Sequence, residues 1–120
     1  SVIRENLDPK NYDLETIQII GIANFNLKNY KKALNVYLKL TSLIPDNHEF
    51  HYILSLIYFN LNEYLASVKS IAKALEIRPE HRFRRGFLKA MYDSNLPYEK
   101  LEKEIDIFNK RVGKSKTITY

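Results

Sequence analysis

Phe25-Asn26-Leu27-Lys28-Asn29-Tyr30 is nearly copied 34 residues later by Phe59-Asn60-Leu61-Asn62-Glu63-Tyr64. The same step carries Pro45 to Pro79, Ile20 to Leu54, Ala23 to Ile57 and Val36 to Ser70. One further step takes Tyr64 to Tyr98, which follows Pro97. A fixed period of this length marks a chain assembled from stacked copies of one supersecondary unit.

Within a unit the apolar residues recur at helical spacing. Ile17, Ile20 and Leu27 precede the Lys28–Asn29 turn, and Leu34, Tyr37, Leu38 and Thr41 follow it. Leu54, Ile57, Tyr58 and Leu61, then Val68, Ile71, Ala72 and Leu75, repeat the pattern. Each unit therefore reads as two helices joined by a short polar turn. Pro45 and Pro79 close the second helices, because proline has no N–H to give the helical ladder. Asp13 is placed to cap the first helix, and Gly21, Ala33, Ser55, Ser67 and Ala74 are small enough for helix axes to approach closely.

A third unit is expected from Phe87, Leu88, Met91 and Tyr92 on its first helix. Tyr98, Leu101, Ile105, Phe108 and Val112 make an amphipathic stripe on its second, with Pro97 suited to the first turn. Glu99, Lys100, Glu102, Lys103 and Asp106 form the opposite, solvated face, including a Glu99–Lys103 pair at i,i+4. A polar outer face suits a terminal unit.

Composition agrees with a helical fold. The 120 residues include only 3 Gly and 4 Pro, which favours long regular elements over turns. Hydrophobic residues make up 45% and charged residues 28%, the balance of a folded rather than a disordered chain. Cysteine is absent, which excludes disulfides, thiolate metal sites and a cysteine nucleophile. The longest apolar stretch, Tyr52 to Phe59, falls far short of the roughly 20 residues a membrane-spanning helix needs. The opening residues carry no signal-peptide pattern. Without an initiator Met the chain is expected to be part of something longer, and a cytoplasmic or periplasmic setting is equally compatible with it. The abundance of Asn, Lys, Ile and Tyr points to an AT-rich, bacterial genome.

The period, the helix–turn–helix unit and the closing proline resemble the tetratricopeptide repeat. The resemblance rests on Gly21, Tyr30, Ala33, Tyr37 and Pro45, on Leu54, Ser55, Tyr58, Tyr64, Ala74 and Pro79, and on Leu88, Tyr92 and Tyr98. It implies an all-α fold of three antiparallel helix pairs in a short right-handed superhelix, with repeats at about 14–47, 48–81 and 82–112 inside a domain at 12–112. Residues 1–11 are expected to be the end of a preceding repeat or a linker, and 113–120 a flexible basic tail.

The resemblance further implies a concave groove lined by the first helix of each unit, holding a segment of another protein. The groove positions are Gln18, Ile22, Phe25 and Asn26 in the first unit and Glu49, Tyr52, Leu56, Phe59 and Asn60 in the second. Phe83, Gly86 and Ala90 follow in the third. Asn26 and Asn60 carry both donor and acceptor and suit a peptide backbone, while the aromatic residues suit buried anchors. The clamp by which some members grip acidic C-terminal tails is missing, since its positions hold Gln18, Ile22, Ile53, Phe83 and Phe87.

Arg82, Arg84 and Arg85 cluster at the start of a helix, where cations oppose the dipole, so they are expected to contact an acidic partner. Interleaved with Phe83 and Phe87 they also admit a nucleic-acid surface, which the modest net charge of +5 disfavours. His48 and His51 flank Glu49 without a third metal ligand, and no phosphate loop or nucleophile elbow is present. The expectation is a non-enzymatic interaction module, without cofactor or metal, binding another protein as scaffold or assembly factor. A chaperone-like holder of apolar segments and self-association through the groove are the alternatives.

Overall fold

The computed structural model describes residues 13–113, which form six helices: α1 (Leu14–Asn26), α2 (Tyr30–Leu43), α3 (His48–Asn60), α4 (Tyr64–Ile77), α5 (His81–Ser94) and α6 (Tyr98–Gly113). Strands are absent among the described residues. The readings made for residues 1–11 and 114–120 lie outside them.

The period is visible in the backbone itself. Asp13 caps α1 by accepting from the Thr16 amide at 2.8 Å, and Asn47, one period later, caps α3 by accepting from Phe50 N at 3.0 Å. Lys28 and Asn62 both adopt left-handed conformations, with φ of 63° and 62°. Beyond each, an amide reaches five residues back to close the helix end: Asn29 N to Asn24 O at 2.8 Å and Glu63 N to Tyr58 O at 2.9 Å. α2 and α4 end just before Pro45 and Pro79, as proline requires.

Two buried clusters form the core. Ile17, Ala33, Val36, Tyr37, Leu40, Phe50, Leu54 and Ile57 bind α1, α2 and α3 together. Val68, Ile71, Ala72, Leu75, Phe83, Phe87 and Leu101, with Ala74 and Ala90, join α4, α5 and α6. Small residues set how closely the hairpins close. A Cβ on Gly21 would stand 2.9 Å from the Tyr37 ring and 3.0 Å from Val36 Cγ1, so α2 lies directly on that backbone. In the second hairpin Ser55 and Ser67 meet at the same level, where the Ser67 hydroxyl donates to Ser55 O at 2.8 Å.

The third helix pair departs from this plan. α6 packs mainly on α4 and only slightly on α5. Lys69 meets Glu104 at 3.2 Å and Arg111 Nε reaches Leu75 O at 3.4 Å, so the two helices run in the same direction. The link to α5 is the stacked ring pair Phe87–Phe108, with centroids 4.8 Å apart. The residues one period after the close hairpin contact differ in size and charge. Lys89 stands where Gly21 and Ser55 allow a second helix to close in, Leu101 replaces Ala33 and Ser67, and Asp93 replaces Phe25 and Phe59.

Leu88 and Tyr92, expected on the packed face of α5, are accordingly 40% and 85% exposed. The helix buries Phe83, Arg84, Phe87 and Ala90 instead, turning that side toward α4. On α6, Leu101 and Val112 are buried, Ile105 and Phe108 half-buried, and Tyr98 is 56% exposed. The i,i+4 ion pair formed there is Asp106–Lys110 at 3.0 Å rather than Glu99–Lys103.

Candidate partner-binding groove

α1 is apolar on more than one side. Leu14, Ile17, Ile19, Ile20, Ile22 and Phe25 leave little polar surface on a 13-residue helix, the pattern of a helix covered on several faces. Ile17 and Gly21 go into the hairpin core. Ile19 and Ile22 point elsewhere and stay 59% and 39% exposed. They line a cavity of about 340 Å³ between α1 and α3, with Ile53, Phe50 and Tyr37 as its floor and Glu15, Gln18 and Glu49 at its rim. Burial pushes the Tyr37 phenol up to about 12, with the charge of Glu49 adding to the shift, so this floor is neutral at any ordinary pH.

Further along the same face a smaller recess of about 70 Å³ lies between α3 and α5, lined by Leu56, Phe59, Gly86, Lys89 and Ala90, with Ser55 and Ser67 behind. Between the two, the first turns of α3 and α5 are closed by the chain itself. Arg82 donates from Nη1 to Glu49 Oε1 at 2.8 Å and from Nη2 to Oε2, and its Nε reaches Glu80 at 2.9 Å. The guanidinium also lies over the Tyr52 and Phe83 rings, 5.0 and 4.7 Å from their centroids. These bonds hold the Glu49 carboxyl below the ordinary carboxylate range, the hydrogen bonds from Arg82 being the main cause.

Gln18, Ile22 and Glu49 line the cavity between α1 and α3, and Leu56 and Phe59 line the recess between α3 and α5. Asn26 and Asn60 are exposed at equivalent positions, and Asn60 uses one amide hydrogen on Leu56 O at 2.8 Å. Phe25 is half-buried edge-on against Tyr30, at 6.0 Å, so its ring serves the hairpin more than the groove.

Three expected roles are corrected. Phe83 is wholly buried, packed on Tyr52 at 5.2 Å and His48 at 5.6 Å, because α5 is rotated toward α4; it belongs to the core. Arg82 spends its charge on Glu49 and Glu80 within the chain. Arg84 is 97% buried (3% exposed) and bonds to the His81 ring. Only Arg85 of that cluster is exposed. Of these cations Arg82 faces acidic groups, and they belong to the chain itself.

Sequence reasoning passed over Ile19 as a groove residue and saw Ile53 only as a missing clamp position. The apolar excess of α1 was the available signal for Ile19. His48 and His51 are engaged elsewhere: His51 Nε2 meets Pro45 O at 2.8 Å, and His48 Nδ1 lies 3.8 Å from Glu80.

An all-α helical repeat with a groove on its first-helix side is a defined class of interaction protein. The sequence model of the tetratricopeptide repeat matches residues 14–47 and 48–81, more than half of the chain, and the protein belongs to that family. Among solved structures, MamA AMB-1 in a P212121 crystal form is similar, with a TM-score of 0.66 at 16% identity. The likeness covers 98% of this chain and 60% of that one, and at such identity it establishes the fold. No curated protein matches the chain. The family's members serve in general as non-enzymatic protein-interaction modules, and no helix among the described residues is long and apolar enough to cross a membrane.

Proposed function

We propose that the protein docks a segment of a partner protein along the first-helix face, as a scaffold or assembly factor. The observation that carries this reading is the pocket between α1 and α3. Exposed Ile19 and Ile22 stand over a neutral apolar floor on a surface that water would otherwise cover at a cost. A partner's aliphatic side chains fill the pocket, the recess at Leu56 and Phe59 takes a second apolar group, and the exposed amides of Asn26 and Asn60 hold the intervening backbone.

The test is capture of partners from cell lysate on the wild-type chain and on Ile22→Asp. Ile22 is exposed enough for the helical melt to stay near wild type. A protein held by wild type and lost from the variant supports the groove. The same set held by both excludes it.

A further inference from the structure

Two intervals on the groove face separate neighbouring first helices at the level of their first turns, and they differ in what fills them. Between α3 and α5 the chain fills the gap itself, with one cation and two aromatic rings: Arg82 is held by both oxygens of Glu49 and lies over Tyr52 and Phe83. Between α1 and α3 the residue one period before Glu49 is Glu15, again a carboxylate on the first turn. The residue one period before Arg82 is His48. His48 does not cross to Glu15; it turns to Glu80 at 3.8 Å and to the Phe83 ring. Glu15 forms no ion pair among the described residues and is exposed at the mouth of the pocket that Ile19, Ile22 and Ile53 line. The pocket thus keeps the acidic half of an arrangement completed one repeat further on, together with an aliphatic wall.

We propose that this pocket receives a partner segment in which an aliphatic residue is flanked by an arginine or lysine. The aliphatic side chain enters between Ile19, Ile22 and Ile53, and the cation meets the Glu15 carboxylate at the rim. The inference rests on the groove reading above and adds the chemistry of its occupant. Local and global electrostatics pull in opposite directions here. The chain carries a formal charge of +5, so unspecific attraction favours an acidic peptide. A preference for a basic one reports the pocket.

The test uses two labelled octapeptides, one alternating Leu and Arg and the other Leu and Glu, read by fluorescence anisotropy at physiological ionic strength. The Leu/Arg peptide is expected to bind wild type more tightly than its twin. Glu15→Gln is expected to weaken it roughly five-fold, the scale of one exposed ion pair. Glu15→Lys is expected to turn the preference toward Leu/Glu. Ile22→Asp is expected to abolish binding of both, with the helical melt unchanged. Tighter binding of Leu/Glu to wild type, or a Leu/Arg preference that survives Glu15→Lys, overturns the inference. It leaves the groove reading standing where Ile22→Asp still abolishes binding. Binding of neither peptide, or binding indifferent to Ile22→Asp, overturns both.

Discussion

The hairpins α1–α2 and α3–α4 close on a small residue, whereas α5 carries a lysine at that register and α6 packs mainly on α4. In the first hairpin α2 rests against the bare backbone of Gly21; in the second a Ser55–Ser67 hydrogen bond spans the same gap. In the third pair Lys89 occupies that register, salt-bridged to Asp93 at 3.0 Å, and α6 moves onto α4. The loop differs as well. Leu96 N bonds to the Ser94 hydroxyl at 3.2 Å, and Pro97 follows without an amide, so this loop closes differently from the first two. Stacking by repetition thus depends on one Cβ position per hairpin. Where that position grows, the last helix becomes a cover over the preceding unit, turning Glu99, Lys100, Glu102, Lys103 and Asp106 to solvent.

The sharpest way to break the contrast is to exchange the two residues. Gly21→Lys puts the third unit's obstacle into the first hairpin and is expected to cost about 3 kcal/mol or more. The reverse change, Lys89→Ser, touches an exposed site and is expected to stay within about 0.5 kcal/mol. Chemical denaturation of both variants measures the pair, and equal losses refute the account.

How α6 is fastened comes next. Glu104 is almost wholly buried and pairs with Lys69, whose own side chain is half exposed. Lys69→Met leaves that carboxylate buried without its cation and is expected to cost about 2 kcal/mol. Lys73→Met, at an exposed pair with Glu76, is expected to cost less than about 0.5 kcal/mol. Thermal melts compare the two.

The periodic tyrosines give a smaller effect. Tyr64 packs edge-on against Phe59 at 5.4 Å, as Tyr30 does against Phe25. Tyr98 has Asp93 where that phenylalanine would be. Tyr64→Ala is therefore expected to cost about 1.5 kcal/mol, and Tyr98→Ala about 0.5 kcal/mol or less. Similar losses in the two would show that the aromatic pair is not the cause.

The smallest contrast is between the two equivalent caps. The Thr16 amide bonded to Asp13 holds that carboxyl below its ordinary 3.8. Its capping contribution is therefore present above that value and lost as the pH falls through the lower, folded one. Asn47 does not titrate. Acid should shift the Thr16 amide resonance while leaving that of Phe50 in place, and parallel shifts would refute the difference.

Much of this was legible in the sequence. The period, the hairpins, the Asp13 cap and the stops at Pro45 and Pro79 follow from local rules: helical spacing, a side chain that can accept from N3, and a residue without an N–H. Gln18, Ile22, Glu49, Leu56 and Phe59 come from the family resemblance, which assumes that regular repeats turn equivalent positions to the same side; the structure places them around two cavities. Phe83 failed by the same logic: its register holds only if α5 keeps the orientation of α1 and α3, and α5 does not.

What the sequence by itself determined, then, is a chain of helices in a repeating order with one side of the first helices turned outward. Those properties depend on backbone hydrogen bonding and on residues within one or two turns of each other. Only the tertiary structure decided where α6 lies, that Arg82 is spent on Glu49 and Glu80, and that no cation among the described residues pairs with Glu15. The decisive contacts join residues more than 30 positions apart: Glu104 with Lys69, and Arg82 with Glu49. Local pattern carries no information on which of several open faces a helix will cover; the shape and charge of the neighbour choose it.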